Sequence, residues 1–359
     1  MKRTPSRIGL VGLGKVTQLH HLPALHQIDG LEIAAVCDLS AELAKAVAQD
    51  YGLPADAAVT TVPMLLEREL DAILIATNHH GPVLRDAIAA GLPTFVEKPC
   101  TWGLDEGREL VSMAGDLGVT VMVGYMKRYD PAVERFQAAA EAAVPFFVRA
   151  HNFAGGRHRH ERIYQVRKPG TDAGSSSAGT ENSVVDAIIA RNLGDDHPRR
   201  IAAFRVLAQL AIHDVNLVTA LVGQVDAGRL SWYDTPLGTH YDITLESGAT
   251  RCRLEILADF TTSRDWDELI QCYRPDGLTE LEFPSPFIRN APTLIRRRLA
   301  VGLDAHTEET MVSRESAYLR ELTHFLDVVE GSVEPRTPLA EAVADLELLY
   351  DLVRHMDVP

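Results

Sequence analysis

A chain of 359 residues is long enough for two domains at roughly 100–200 residues each, and its 46% apolar and 24% charged content is that of an ordinary globular protein. A formal net charge of −15, with no long basic run to oppose it, argues against nucleic acid as a partner. No stretch reaches the ~20 consecutive apolar residues of a membrane helix. Cys37, Cys100, Cys252 and Cys272 are too widely spaced for a CxxC metal pair or a disulfide framework. The expectation is a soluble cytoplasmic protein with no membrane partner and no metal.

In chain order, Ile8 to Gly12 reads as a short buried strand ending in glycines, and Lys15 to Ile28 as a helix. Leu31 to Cys37 is a second strand and Ala41 to Asp50 a second helix. Ala72 to Ala76, Thr94 to Val96 and Val119 to Gly124 are further strands, separated by helical Val83 to Ala90 and Leu104 to Gly115. Alternation of helices with fully apolar strands predicts an α/β, doubly wound parallel sheet covered on both faces. After Tyr125 the rhythm changes. Residues 153–205 read as a long irregular insert, locally basic at Arg157-His158-Arg159-His160 and Arg199-Arg200 and carrying the serine run Ser175-Ser176-Ser177. Helical spacing returns over Leu207 to Leu221. Alternating Tyr241 to Glu246 and Arg251 to Leu257 predict antiparallel strands with one wet face. Tyr318 to Val329 and Leu339 to Met356 read as amphipathic helices. The expected organisation is a nucleotide-binding domain over residues 1–124 and an α+β domain over residues 125–359.

Gly12-Leu13-Gly14 follows the first strand and opens a helix. The first glycine permits a tight turn, and the second lets the backbone approach a pyrophosphate at the helix N-terminus. Thr17 stands where a third glycine would complete GxGxxG, and glycines mark many strand–turn–helix corners that bind nothing. Asp38 ends the second strand, where an acid binds ribose hydroxyls. Its charge would repel a 2′-phosphate, and no arginine follows in Leu39-Ser40, so NAD is expected over NADP.

Glu97-Lys98-Pro99 ends an apolar strand at the edge where open α/β sheets bind ligands. Lys98 reads either as a surface lysine paired with Glu97 or as an active-site ammonium that stabilises an alkoxide-like oxygen. His213 lies in the apolar run Leu207 to Leu217. It reads either as a core histidine or as a general base taking a hydroxyl proton, with Gln209 one helical turn behind it. Tyr125, Lys127, Arg128 and Tyr129 combine two aromatic rings with two cations just past the last strand of the first domain, a set suited to polyol or anion recognition. The basic stretch Arg157 to Lys168 and the run Arg296-Arg297-Arg298 read as solvated surface or, gathered at a cleft, as contacts to a phosphorylated or nucleotide-linked substrate.

Taken together, these motifs resemble the Gfo/Idh/MocA family of glucose–fructose oxidoreductases, inositol dehydrogenases and related sugar oxidoreductases. Gly12-Leu13-Gly14-Lys15-Val16 with His21-Leu22-Pro23-Ala24-Leu25 resembles its opening turn and helix. Ala76-Thr77 with His80 resembles its nucleotide loop, shortened and without the usual Pro-Asn. Glu97-Lys98-Pro99 matches its Glu-Lys-Pro, Gly124 to Pro131 resembles its domain junction, and Ile212-His213-Asp214-Val215 resembles its catalytic helix. The likeness runs on through Phe325-Leu326-Asp327 to the final helix.

The resemblance implies a Rossmann domain in which Gly12, Gly14, Lys15, Val16, Asp38, Thr77, Asn78, His80, Glu97 and Lys98 hold NAD. It implies Lys98 and His213 as catalytic residues, with Tyr125, Lys127, Arg128, Tyr129 and Gln209 joining them around the substrate. The second domain would carry a large open mixed, mainly antiparallel sheet that builds homodimers or homotetramers, its last helix free to pack back on the first domain. One position departs from the pattern. Dehydrogenases of the family carry an aspartate one turn before the histidine, where this chain has Gln209, and a glutamine cannot stabilise an imidazolium by charge. Glu181 and Asp186 are the acids that could stand in. The implied function is hydride transfer with NAD at a secondary alcohol or ketone of a sugar or cyclitol, phosphorylated and nucleotide-activated sugars included. The alternatives are a cofactor-recycling epimerase or glycosidase and a non-catalytic NAD-binding regulator.

Overall fold

The computed structural model describes residues 5–140, 144–155, 164–170, 172, 177–258, 266–302 and 304–358. The chain forms two compact units. One combines Met1–Tyr125, Tyr164–Gly194 and Tyr318–Ala344, and the other Met126–Ile163, Asp195–Ala317 and Asp345–Pro359.

Six parallel strands make the sheet of the first unit: β1 (Ser6–Val11), β2 (Leu31–Cys37), β3 (Ala58–Val59), β4 (Ala72–Ile75), β5 (Thr94–Glu97) and β6 (Val121–Gly124), in the order β3-β2-β1-β4-β5-β6. Every residue of β4, β5 and β6 is buried, as near-continuous apolar runs predict for a sheet covered on both faces. Strand order reverses at β1, so a crevice opens at the carboxyl ends of β1 and β4. Helix Ala41–Asp50 leaves β2 with Ser40 as its cap, the hydroxyl accepting from the Leu43 amide at 3.1 Å, and buries Leu43, Ala44, Val47 and Ala48.

Two differences from the sequence reading have local causes. The first helix is shorter than Lys15 to Ile28 and widens into a π turn at Thr17–His21 before Leu22–Leu25, because Pro23 has no N–H for the ordinary ladder. The insert is less irregular than expected, since it holds helices Ser177–Leu193 and Pro198–Val206. Val185 and Ile189, four apart and fully buried, were the legible sign of the former. Its Asn192 side chain accepts from the Leu104 amide at 2.9 Å, supplying helix Leu104–Leu117 with the cap that Gly103 cannot. Arg157-His158-Arg159-His160, Ser175 and Ser176 lie outside the described residues.

The second unit carries an eight-stranded sheet: β7 (Phe147–Ala154), β8 (Asp226–Asp234), β9 (Thr239–Ser247), β10 (Thr250–Ala258), β11 (Trp266–Arg274), β12 (Gly277–Phe283), β13 (Leu294–Val301) and β14 (Asp304–Met311). The order is β14-β13-β12-β11-β7-β10-β9-β8, with β7 and β10 parallel and the other pairs antiparallel. It is therefore the mixed, mainly antiparallel sheet expected. β10 alternates buried and exposed residues along its first half, as one dry and one wet face require. The Arg296-Arg297-Arg298 run sits on β13 and is matched across the sheet: Arg296 with Glu282 and Glu309, Arg297 with Glu308, Arg298 with Glu280. Residues 198–222 form one apolar helical run, long enough by length and composition to cross a membrane. In the structure 61% of its most apolar window is buried inside the protein, the setting of a core helix. Its last section, Ile212–Val222, packs on β7 and β10.

Candidate active site

The crevice at the ends of β1 and β4 is a cavity of about 510 Å³ lined by Gly12, Gly14, Cys37, Asp38, Leu39, Thr77, Asn78 and His79, with Glu181 on its wall. That volume lies in the usual range for small-molecule and cofactor sites. Gly12 has φ +89°, and a Cβ there would lie 2.5 Å from the Ala76 carbonyl oxygen, so β1 and the loop after β4 approach as closely as only glycine allows. A Cβ on Gly14 would meet nothing within 4 Å, which leaves its backbone open to the cavity. Thr17, in the third-glycine position, is buried and donates from its hydroxyl to the Gly12 carbonyl at 2.7 Å, pinning the turn from the helix. Lys15 and Val16 form the first turn of that helix, both half-buried.

Asp38 faces this turn. Its Oδ2 accepts from the Leu13 amide and its Oδ1 from the Ser40 amide, both at 2.9 Å. A carboxylate has about four acceptor positions, so lone pairs remain for ribose hydroxyls. The cavity thus fits a dinucleotide: a glycine cradle with open backbone at one end and an oriented carboxylate at the other.

His80 is buried and sits behind the cavity wall, where its Nδ1 donates to the Pro99 carbonyl at 2.7 Å. Burial pushes its imidazole below the usual range, so it is neutral, and it ties the loop after β4 to the loop after β5. The Asn78 carbonyl accepts from the Trp102 indole at 2.8 Å, a second tie between the same loops. Glu97, at the end of β5, is buried. Its Oε1 meets His21 Nε2 at 2.8 Å and its Oε2 accepts from the Lys98 amide at 3.1 Å. Burial alone would raise this carboxyl, but His21 and the Lys98 charge outweigh it and hold it below the ordinary range. Lys98 is half-buried at the sheet's carboxyl edge, its backbone anchored by the Glu97 side chain below and its peptide to Pro99 cis. Tyr125 is 1% exposed and belongs to the core of this unit.

The remaining expected residues belong to the second unit. His213 is half-buried at the start of helix Ile212–Val222, directly after a π turn over Leu207–Ala211. Gln209 lies within that widened turn and is exposed, so the regular four-residue stacking expected of the pair does not apply. Asp214 is fully buried. Its Oδ1 accepts from Lys127 Nζ at 3.0 Å and its Oδ2 from Asn152 Nδ2 at 2.9 Å. The Lys127 ammonium also bonds Glu268, which in turn takes the Trp266 indole at 2.8 Å and Asn152 at 3.1 Å. Burial pushes the Lys127 ammonium below its usual range, and Asp214 partly restores it. Arg128 donates to Asn216 at 3.2 Å, Asn216 donates to Asp345 at 2.8 Å, and Tyr129 is buried.

Sequence reasoning missed Asn152, Glu268 and Trp266. β7 and β11 set Asn152 opposite Glu268 in register. Glu268, Ile270 and Cys272 alternate along one buried face of β11, so an acid in an otherwise apolar period-two row was the readable signal.

Residues 6–125 match the GFO_IDH_MocA family model, described as an oxidoreductase family with an NAD-binding Rossmann fold. The inositol 2-dehydrogenase of Paracoccus denitrificans is 32% identical over 162 residues, 44% of this chain and 46% of that protein, so the chain spans about half the length of the curated relatives it matches. Over the whole chain the fold is that of two solved structures. One is a 3-ketoreductase from Actinomadura kijaniata in complex with NADP and TDP-benzene (TM-score 0.74, 15% identity, 98% of each chain). The other is a UDP-N-acetylglucosamine 3-dehydrogenase from Acidithiobacillus ferrooxidans (TM-score 0.72, 20% identity, 98% of this chain and 97% of that one). Residues 6–125, which carry the Gly12 turn, Asp38 and Lys98, are thus similar to the NAD-binding domain of the Gfo/Idh/MocA oxidoreductases.

Proposed function

We propose that this protein is an NAD(H)-dependent dehydrogenase or ketoreductase acting on a secondary alcohol or ketone of a sugar or cyclitol, nucleotide-activated sugars included. The observation that carries the reading is the cavity itself: the Gly12–Gly14 cradle and oriented Asp38 stand at the strand-order reversal of a sheet whose β5 is followed directly by Lys98. When bound, the nicotinamide gives or takes the hydride. Lys98, its backbone fixed by Glu97, polarises the substrate oxygen and stabilises its developing charge. His213 takes or returns the hydroxyl proton, an imidazole being suited to that exchange near neutral pH. Asp214, one residue on and locked by Lys127 and Asn152, fixes the start of the helix that carries it. Asp38 selects NAD by accepting from the ribose and repelling a 2′-phosphate. The nucleotide-sugar class is supported by the UDP-N-acetylglucosamine named for one structural neighbour and the TDP-benzene bound in the other, and the cyclitol class by the inositol 2-dehydrogenase. Homo-oligomerisation and a cytoplasmic location belong to the same proposal; the four cysteines, all buried and none in a disulfide, suit a reducing compartment.

A non-catalytic NAD-binding role is the second reading, favoured by one observation, the uncharged Gln209 before His213. The test is a substrate panel of cyclitols, free sugars, sugar phosphates and nucleotide sugars with NAD, and of the corresponding ketones with NADH, read by near-ultraviolet nicotinamide absorbance. Turnover on one class supports the enzyme. NADH binding with no turnover on any compound supports the silent reading and removes the first.

A further inference from the structure

Residues 164–170 and Asp172 form a strap tied to Gln18 and to both ends of helix Ala41–Asp50, whose start follows the cavity-lining residues Asp38 and Leu39. Gln18 holds the strap at one point, donating from Nε2 to the Arg167 carbonyl at 3.0 Å and accepting from the Arg167 amide at 2.8 Å. The Arg167 guanidinium grips Asp50 through two bonds of 2.5 and 2.6 Å, and the Gly170 amide donates to the Ser40 hydroxyl oxygen at 3.2 Å. The strap ends in a carboxylate. Asp172 Oδ1 accepts from the Ser40 hydroxyl at 2.7 Å and Oδ2 from the Glu42 amide at 3.1 Å. Ser40 in turn donates its amide to Asp38 Oδ1 at 2.9 Å, so one serine stands between two carboxylates.

This arrangement bears on which dinucleotide fits. In a doubly wound sheet the acid at the end of the second strand bonds the ribose 2′-oxygen. A phosphate on that oxygen would reach the next residues of the chain, the Ser40 hydroxyl and the first amides of helix Ala41–Asp50. Those donors, at the positive end of the helix, are what a phosphate would use. Here a resident anion already uses them. The Ser40 hydroxyl and the helix amides hold the Asp172 carboxyl below the usual carboxylate range, so it is charged at neutral pH.

We propose that Asp172 is a second cofactor-selectivity residue: tethered by the strap, it occupies the anion position beside Asp38 and excludes the 2′-phosphate of NADP. The inference rests on the reading of the cavity as an NAD site. It extends that reading, because discrimination is divided between two carboxylates from distant parts of the sequence. Removing Asp38 alone leaves Asp172 in place and preserves a preference for NAD.

The test is direct binding of NADH and NADPH to the full chain, by calorimetry or nicotinamide fluorescence, for the unmodified protein, Asp172→Ala, Asp172→Asn, Asp38→Ala and the Asp38→Ala/Asp172→Ala pair. Thermal melts confirm that each variant is folded, and the isosteric Asp172→Asn keeps the strap's length if alanine releases it. The expected result is an NADPH-to-NADH affinity ratio that rises about two- to fivefold in either Asp172 variant, the scale of an exposed like charge removed from a helix terminus. It rises further only in the double variant. An unchanged ratio in both Asp172 variants, or equal gains for both dinucleotides, overturns the inference while the NAD reading stands. An unmodified protein that binds neither dinucleotide overturns the NAD reading and this inference with it.

Discussion

The buried cluster under His213 makes a sharp prediction. Lys127 places one ammonium between Asp214 and Glu268, whose side chains are each 1% exposed, and lies 5.0 Å from the centre of the Phe283 ring. Lys127→Met keeps most of the aliphatic stem and removes only the charge. Two carboxylates are then left buried without their shared cation, with neutral Asn152 and Trp266 as the side-chain donors that remain among the described residues. Breaking a buried ion pair by deleting one partner costs about 3–5 kcal/mol, against about 0–1 kcal/mol for an exposed pair. For a unit of roughly 150–250 residues that corresponds to a fall in Tm of about 6–20 °C. Differential scanning calorimetry measures it at neutral pH. The deficit should shrink in acid, where one carboxyl of the bared pair takes up a proton. The triple variant Lys127→Met/Asp214→Asn/Glu268→Gln should recover most of the loss, since it removes the charges together. A loss below about 1 kcal/mol for Lys127→Met would refute the reasoning, because that is the value of a solvated pair.

Three further outcomes are expected. Gly12→Ala must place a Cβ 2.5 Å from the Ala76 carbonyl oxygen at φ +89°, so urea unfolding should show a loss of at least about 2 kcal/mol together with weakened NADH binding; an unperturbed variant would contradict the tight cradle. Glu321 is fully buried, and burial, reinforced by the Glu97 charge and only partly opposed by the Tyr125 amide, pushes its carboxyl well above the usual range. The folded chain therefore keeps a proton that the unfolded chain releases, and stability falls as pH rises above the ordinary carboxylate value of about 4.3. Glu321→Gln should remove this component, raising Tm more at pH near 8 than at pH near 5; a pH-independent difference would count against a protonated Glu321. His80→Ala should loosen the tie between the loops after β4 and β5, reducing turnover more than NADH affinity; an effect on affinity alone would place His80 with the cofactor instead.

Much of the first unit was legible because its information is local. Apolar runs such as Ala72 to Ile75, short and set between helical stretches, read as buried strands, and Gly12, Asp38 and Glu97-Lys98-Pro99 each fall at a strand end where parallel sheets carry their ligands. Thr17 was read as a missing glycine, whereas its hydroxyl closes the turn from another direction, which no residue pattern announces. Other features depend on contacts between distant residues. Lys127 reads from sequence as a cation near a domain junction, and only strand register shows Asn152 and Glu268 waiting for it. The insert was misjudged for a related reason. Helix Ser177–Leu193 starts in serine, glycine and threonine and shows its buried row only from Val185 onward, and the Asp172 carboxylate acquires meaning only where the strap returns to Ser40.

The central claim is that a dinucleotide held in the Gly12–Asp38 cavity works with Lys98. It is tested most directly by titrating the unmodified protein and Lys98→Ala with NADH, then following turnover of the active substrate class. The account predicts NADH affinity within about threefold and a fall in kcat of about 10²–10³-fold, the scale of losing one preorganised charge stabiliser. Unchanged turnover in Lys98→Ala would contradict it.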